Sequence, residues 1–414
     1  MNRGDHERVK VGGGSPPAAP APSSPTTDEP GPPVGQGLEP SIVRRAVVLY
    51  LVLAAVLAFV VAASLVLLPY THQHTRPTFF RRQPWFDGWF RWDGAWYFNI
   101  AERGYWHHPE TGQSPVAYFP AYPLLMRMGE RIFGNVVVAG IAVTIASGAA
   151  AAGLFASWAK RQLGSVTAAW TAVLLLLLYP FSFFLYGAVY ADALFVAAMV
   201  GAFLLLERDQ PVLAGLVAAV GTAARPIGAL VVIALVIRAV ERRGGLKGLK
   251  PKDAGVLLAC LGVGAFSAYT WARFGSPLAW VEAQEGWGQE PGPQTWFKTD
   301  FLRGLEMFSH NSHDLIAYLL HPITTIGCLA LVPAVIRRFG WGYGVYVLLV
   351  VGVAAISTKN FFGMGRYTLA AFPCFAVAGA ALAKWPEARV YVLFVSGALM
   401  VAGASYFARG FYLS

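Results

Sequence analysis

The chain has 414 residues, of which 56% are hydrophobic, 14% aromatic and only 13% charged. Soluble domains carry about 25% charged residues, so this composition excludes an ordinary soluble domain. The formal net charge of +10 does not indicate nucleic-acid binding, because the Lys and Arg residues form short clusters between apolar segments.

The N-terminal segment differs from the rest of the chain. Its first 40 residues include nine prolines and seven glycines and almost no large apolar side chain. Such a composition is typical of disorder. We therefore expect residues 1–45 to form a disordered cytoplasmic tail and residues 46–410 to form a polytopic transmembrane domain. The first apolar run, 46–69, is too long for a cleaved signal peptide and predicts a retained span.

Apolar runs follow one another along the remaining chain, most of them near the length that an α-helix needs to cross a bilayer. They predict an all-α, polytopic membrane protein with about eleven transmembrane helices. The two runs beside Arg225 and Pro226 are short and could instead form one broken hairpin that lines a cavity. The runs are residues 46–69, 134–157, 166–186, 191–206, 211–224, 226–240, 253–272, 314–335, 341–357, 368–383 and 389–407.

The basic residues of the short loops predict the orientation. With eleven helices, these clusters all fall on one side, and the densest covers residues 238–252. Lys and Arg in short loops mark the cytoplasmic side. We therefore expect a cytoplasmic N-terminus and two long outer loops at residues 71–133 and 273–313.

The first outer loop is unusually aromatic between residues 86 and 105. An amphipathic helix over residues 92–102, lying among the lipid headgroups, would bury the side chains of Trp96, Phe98 and Ile100. Asp93 would lie in its first turn. There it could cap the helix, or it could accept a proton from an attacking hydroxyl, and the two roles are compatible. For Asp87 and Glu102 we expect solvated or salt-bridged carboxylates.

Three charged residues lie next to apolar segments where they need a partner. Asp192 opens an apolar helix, so it is either a cap or an acid at the rim of a cavity. Arg225 and Arg366 each require an anion, which could be a carboxylate or a phosphate held by two parallel hydrogen bonds. Lys359 lies near Arg366 in the sequence.

The second outer loop contains Gln284 and Trp287, which would share one helical face. They could bind sugar hydroxyls and stack on a sugar ring, or they could anchor the loop at the interface. His107 and His108 with Glu110 do not have the spacing of a metal site. The three cysteines lie in apolar segments without CxxC spacing, and there is no GxxxxGK[ST], GxSxG or HExxH motif. The absence of these motifs argues against ATP-driven transport and serine hydrolysis.

Several of these stretches resemble the class V phosphatidylinositol-glycan (PIG-V-like) mannosyltransferases and their bacterial relatives, polytopic glycosyltransferases of the GT-C type. The resemblance covers about residues 85–375. It rests on Arg91-Trp92-Asp93 with Ile100-Ala101 and Gly104-Tyr105, on Tyr118-Phe119-Pro120-Ala121-Tyr122-Pro123, on Tyr190-Ala191-Asp192, on Arg225 with Gly228, on Phe274-Gly275 with Gln284 and Trp287, and on Arg366-Tyr367 with Pro373. Asp192 stands where the family has Glu, and Pro226 stands where a small polar residue is usual.

The resemblance implies that a hexose, with mannose as the expected sugar, is moved from a polyprenyl-phosphate donor to an acceptor at the outer face of the plasma membrane, with inversion. Asp93 would be the base, and Arg225 and Arg366 would bind the donor phosphate. Substrate-binding candidates are Trp92, Trp96, Asp192, Gln284, Trp287 and Tyr367. We expect no cofactor, although a divalent metal stays open, and the acceptor is a lipid, glycan or protein. The alternatives are a lipid or sugar transporter, favoured by the break at Pro226, and a noncatalytic scaffold.

Overall fold

The computed structural model describes residues 40–68, 83–107, 112–287, 292–308, 312–411 and 413. Over these residues all regular elements are helices, which confirms the all-α prediction. Residues 1–39 of the predicted tail lie outside the described residues, and so do parts of both predicted outer loops. The first helix begins at Pro40, before the apolar run at Ala46, and already packs into the core through Ile42.

Twenty α-helices follow one another in the described residues. They are α1 (Pro40–Leu67), α2 (Pro84–Asp87), α3 (Gly94–Arg103), α4 (Ala121–Phe133), α5 (Val136–Leu163), α6 (Val166–Leu177), α7 (Asp192–Glu207), α8 (Pro211–Thr222), α9 (Gly228–Arg242), α10 (Cys260–Phe274), α11 (Ala279–Glu282), α12 (Pro293–Trp296), α13 (Thr299–Phe308), α14 (Ser312–Ala330), α15 (Val332–Phe339), α16 (Trp341–Val347), α17 (Ala354–Ser357), α18 (Met364–Tyr367), α19 (Phe372–Leu382) and α20 (Pro386–Ala408). Short 3₁₀ turns occur at Pro115–Ala117, Ser182–Leu185, Leu246–Gly248, Pro251–Ala259, Glu285–Trp287 and Thr368–Ala370, and a π-helical turn occurs at Leu348–Val353.

Each predicted apolar run is helical over most of its length, and the longest are membrane-span candidates. Among the described residues, five stretches are long and apolar enough to cross a membrane: Ile42–Leu67, Val136–Leu163, Pro251–Phe274, Asp314–Phe339 and Pro386–Ala408. A sixth candidate combines Met364–Ala370 with Phe372–Leu382, which meet at 79°. The remaining predicted runs form shorter apolar helices, such as α6, α8 and the stretch Trp341–Ser357. The chain is therefore a helical membrane protein.

The run predicted as a helix over residues 166–186 is helical only as far as Leu177. Pro180 explains the difference, because proline lacks an N–H and disfavours a helical conformation in the residue before it. The chain beyond Leu177 stays buried without being a regular helix, and the hydroxyl of Tyr186 donates to the carbonyl of Leu177 at 2.8 Å. This irregular segment leads to Tyr190 and Asp192, at the start of α7.

The predicted break at Arg225 and Pro226 is present. Helix α8 ends at Thr222 and α9 begins at Gly228. A Cβ atom on Gly228 would lie 2.8 Å from the carbonyl oxygen of Gly221, so only glycine permits this close approach. The break therefore leaves Arg225 at a helix end, where its side chain can face a cavity.

A buried ion pair attaches the first outer loop to the last helix. Asp87 and Arg91 contact each other at 3.0 Å, and their side chains are 0% and 1% exposed. The Nε of Arg91 also donates to the carbonyl of Ala408 at 2.8 Å, at the end of α20. Next to this pair, a Cβ on Gly88 would lie 2.3 Å from Val61 of α1, so the loop sits directly against the helices. Asp87 is thus salt-bridged, one of the two states expected for it.

We expect Asp87→Ala to destabilise the protein by about 3–5 kcal/mol, because it leaves the Arg91 charge buried without its partner. Thermal unfolding in detergent measures this loss. Arg303→Ala is the matched control, since its pair with Asp300 at 3.6 Å is exposed and should contribute about 0–1 kcal/mol. Equal melting temperatures for the two variants would contradict the structural role of the buried pair.

Candidate active site

A cavity of about 320 Å³ brings together residues from both outer loops and from the helix ends. Six of the nine predicted site residues line it, which are Asp93, Arg225, Gln284, Trp287, Arg366 and Tyr367. Asp192 lies directly behind Arg225, and Trp96 packs against the lining side chains. Residues far apart in the sequence thus form one polar site within a helical membrane protein.

Asp93 occupies the N-cap position of α3, yet its side chain makes no capping hydrogen bond. The capping interpretation is therefore wrong for the carboxylate. Its Oδ2 accepts a hydrogen bond from Nη1 of Arg366 at 2.9 Å, and its Oδ1 accepts from the hydroxyl of Tyr118 at 3.1 Å. The Asp93 backbone N–H donates to the hydroxyl of Tyr190 at 3.1 Å. The carboxylate is therefore a cavity group held by two side-chain donors.

Trp92 has a φ angle of +49°, a left-handed conformation that is rare for a large side chain. This conformation turns the chain immediately before Asp93. The Trp92 ring is 39% exposed, and its Nε1 donates to the carbonyl of Phe411 at 3.1 Å. Trp92 therefore lies outside the cavity lining. Its contact with the C-terminal segment holds the backbone immediately before Asp93.

Four charged side chains form an alternating series next to the cavity. Asp93 contacts Arg366, Nη1 of Arg366 lies 3.9 Å from Oδ2 of Asp192, and Oδ1 of Asp192 contacts Arg225. All four side chains are at most 15% exposed. Charges so poorly hydrated require opposite charges nearby. Two carboxylates and two guanidinium groups supply that balance, so the formal charges cancel within the series.

Aromatic rings cover both guanidinium groups. The guanidinium carbon of Arg225 lies 4.3 Å from the centre of the Tyr367 ring, and that of Arg366 lies 4.9 Å from the centre of the Tyr190 ring. Such contacts stabilise a desolvated cation and orient it. Nε of Arg366 is buried and has no hydrogen-bond partner among the described residues. This arginine therefore keeps an unused donor although Asp93 already binds it.

Tyr118 is a cavity residue that was not singled out in the sequence, although it lies in the stretch that carries the resemblance. Burial raises the pKa of Tyr118 well above the ordinary value for tyrosine, and the nearby Asp93 charge adds to the rise. The hydroxyl is therefore protonated at neutral pH and acts as a lasting donor to Asp93. The sequence signal that could have identified Tyr118 is the number of tyrosines in the same loop as the candidate carboxylate of Asp93.

An aromatic wall closes one side of the cavity. The Trp96 and Tyr118 rings are stacked with centroids 5.8 Å apart, and the Trp287 ring meets them edge-on at 5.3 and 5.4 Å. Trp96 therefore packs against protein aromatics, whereas the sequence predicted contact with lipid headgroups. Nε2 of Gln284 donates to the carbonyls of Ala117 and Trp280, at 3.3 and 3.2 Å. Gln284 thus also joins the second outer loop to the first.

The cavity lining also includes polar residues that the sequence analysis did not select, namely Asp300, Thr358 and Asn360, together with Lys359. Glu102 lies exposed on α3, away from the lining. The ring of His107 is hydrogen-bonded to the hydroxyl of Ser114 at 3.1 Å. The other members of that candidate cluster, His108 and Glu110, fall outside the described residues. Within the described ranges, no three His, Cys, Asp or Glu side chains are grouped as a metal site would require.

The chain matches no protein-family model and no curated protein. Two solved structures of the oligosaccharyltransferase from Archaeoglobus fulgidus align with it. The apo form has 14% sequence identity and a TM-score of 0.45, and the alignment covers 86% of this chain and 56% of that one. The complex with zinc and sulfate has 15% identity and a TM-score of 0.44, with coverage of 85% and 53%. This chain thus spans about half the length of those structures.

Proposed function

We propose that the protein is a membrane glycosyltransferase of the GT-C type, related to the PIG-V-like mannosyltransferases. It moves a hexose, mannose, from a polyprenyl-phosphate donor to a lipid, glycan or protein acceptor, with inversion. One observation carries the proposal: a cavity in a helical membrane protein combines the Asp93 carboxylate, the Arg225 and Arg366 guanidinium groups and an aromatic wall. These groups match the needs of a base, a phosphate clamp and a sugar platform.

The proposed reaction is a single displacement at the anomeric carbon of the donor sugar. An acceptor hydroxyl attacks this carbon on the face opposite the phosphate, and Asp93 takes the hydroxyl proton. A C–O bond to the acceptor forms while the bond from the anomeric carbon to the phosphate oxygen breaks. Polyprenyl phosphate leaves with the negative charge, which Arg225 and Arg366 stabilise. Attack from the opposite face inverts the configuration.

The ion pairs of the cavity fit this scheme through an exchange of partners. A donor phosphate that engages Arg366 competes with Asp93 for the same cation. Arg366 has a buried Nε without a partner in the described structure, so a phosphate can add a contact that Asp93 does not make. Once Arg366 turns toward the phosphate, the Asp93 carboxylate becomes a stronger proton acceptor. Donor binding would thereby activate the base.

The positions of the two polar clusters support an active site that faces the outside of a plasma membrane. Helix α7 begins at Asp192 beside the cavity and ends at Glu207. Glu207 accepts a hydrogen bond from Arg238 at 2.7 Å, and Arg238 is the first residue of the basic segment predicted to be cytoplasmic. The cavity and the basic cluster therefore lie at opposite ends of α7. Since basic residues mark the cytoplasmic side, this arrangement supports a cytoplasmic N-terminus and an outward-facing cavity.

A transfer assay tests the proposal against its main rival. Lipid or sugar transport is favoured by the break between α8 and α9, because broken helices line the binding sites of transporters. We expect detergent-purified protein, given labelled polyprenyl-phosphate mannose and a mixed acceptor extract, to form a new mannosylated product. A transporter would leave its substrate chemically unchanged. The same assay with a chelator decides whether a divalent metal takes part, and the absence of any product would contradict the proposal.

The substitution Asp93→Asn tests the role of the base separately from that of the phosphate clamp. We expect transfer to fall by about 10²–10⁴-fold because the proton acceptor is lost. Binding of polyprenyl phosphate, measured in nanodiscs, should be at least as tight as in the wild type, since Arg366 loses a competing carboxylate. Glu102→Gln, an exposed carboxylate of the same helix, is the control and should transfer normally. Near-normal turnover of Asp93→Asn at wild-type protein levels would assign the base to another residue.

Arg225→Ala and Arg366→Ala test the phosphate clamp. Each lost charge-assisted contact contributes about 1.5–3 kcal/mol, so donor affinity should fall by about one to two powers of ten. Lysine at either position should restore little, because it lacks the planar pair of donors. Arg303→Ala, at an exposed arginine, should bind the donor like the wild type. If both cavity variants kept the wild-type donor KM, the arginines would serve only the ion pairs with Asp93 and Asp192.

A further inference from the structure

Gly365, the residue before Arg366, is held by hydrogen bonds on both sides. Its N–H donates to Nδ1 of His321 at 3.1 Å. Its carbonyl accepts from the hydroxyl of Tyr179 at 3.1 Å and from Thr368 at 2.8 Å. His321 belongs to α14 and Tyr179 to the segment after α6, so two distant parts of the chain fix the backbone that carries Arg366.

The packing around Gly365 leaves no room for a side chain. A Cβ atom at this position would lie 2.2 Å from the ring of Phe181. The same Phe181 ring lies 4.7 Å, between centroids, from the ring of His321. Glycine is therefore required here by close approach, and His321 is held in place by the ring that covers Gly365.

Helix α18 needs such support because it spans only Met364–Tyr367. A four-residue helix is not stable by its own hydrogen bonds. It also lies on one side of the 79° bend that separates Met364–Ala370 from Phe372–Leu382. The direction of the Arg366 side chain therefore depends on contacts with neighbouring segments.

Burying the polar ring of His321 costs free energy, and packing alone does not explain a histidine at this position. It is completely buried, in a helix long and apolar enough to cross the membrane. Because Nδ1 accepts from Gly365, the ring proton of the neutral form is on Nε2. That Nε2 has no hydrogen-bond partner among the described residues. An apolar side chain would fill the same space without an unpaired donor, so the bond to Gly365 is the one contact that specifically requires an acceptor there.

We propose that His321 is a positioning residue, which acts through Gly365 to hold the Arg366 guanidinium where a lipid phosphate binds. The proposal rests on the proposed function, since it assigns Arg366 to the donor phosphate. His321 itself lies outside the cavity lining. Its effect is on the orientation of Arg366, which places Nη1 at 2.9 Å from Asp93.

Polyprenyl phosphate in nanodiscs is the probe, because its binding requires no catalysis. His321→Leu removes the acceptor and keeps an apolar side chain, and we expect it to weaken binding by about tenfold. His321→Asn places Oδ1 near the position of Nδ1 and should restore binding to within about threefold of the wild type. Amide hydrogen exchange at Gly365 should be faster in the Leu variant and protected in the Asn variant.

Tyr343→Phe is the matched control. It removes a buried hydrogen bond to Glu207 of 2.9 Å at the other end of α7, so it should lower the melting temperature without changing the affinity. If His321→Leu does not fold, Tyr179→Phe releases the opposite side of Gly365 and should weaken binding in the same direction.

Three results are decisive. Wild-type affinity in His321→Leu, or an affinity loss in Tyr343→Phe equal to that of His321→Leu, would overturn the positioning role. In both cases the proposed function would stand, because the wild type still binds the lipid. Failure of the wild type to bind polyprenyl phosphate would overturn the proposed function and this inference together.

Discussion

The need to balance charge in apolar surroundings organises the end of the molecule that holds the cavity. Asp93, Arg366, Asp192 and Arg225 come from four separate segments, and none of them is tolerable alone where it lies. Their mutual contacts bring the first outer loop, the start of α7, the break after α8 and the short helix α18 together. The geometry of the cavity follows from these contacts, and the aromatic rings fill the space around them.

The same balance is compatible with the proposed reaction. If every donor of the four charged side chains had a partner, a phosphate could bind only by breaking existing contacts. Arg366 instead retains a buried donor without a partner in the described structure, and Tyr118 supplies Asp93 with a second hydrogen bond. Asp93 therefore keeps one partner when Arg366 turns toward an anion. The exchange is less costly than the loss of an isolated buried ion pair.

The sequence predicted the helices well because the length of an apolar run is a local property. It also located Asp93, Arg225 and Arg366, since charged residues beside apolar runs stand out. It did not predict the end of α6 at Leu177, although Pro180 is a local signal for it, and it did not predict the bend after Ala370. Nor could it assign the partner of each charge. For Asp93 the sequence left capping and proton transfer both open, whereas tertiary contacts with Arg366 and Tyr118 determine the orientation of its carboxylate.

The length of α7 has a consequence for the depth of the cavity in the membrane. Its 16 residues extend about 24 Å, whereas a typical hydrocarbon core is about 30 Å thick. Charged groups occupy both ends, at Asp192 and at Glu207. Because neighbouring helices bury almost all of α7, its short length bears on the depth of the cavity and leaves the bilayer thickness to the helices around it. If Glu207 lies at the level of one headgroup layer, the cavity at Asp192 lies below the level of the other. The proposed lipid-linked donor would then sink toward the site instead of rising out of the membrane, and its chain could stay in the bilayer throughout the reaction.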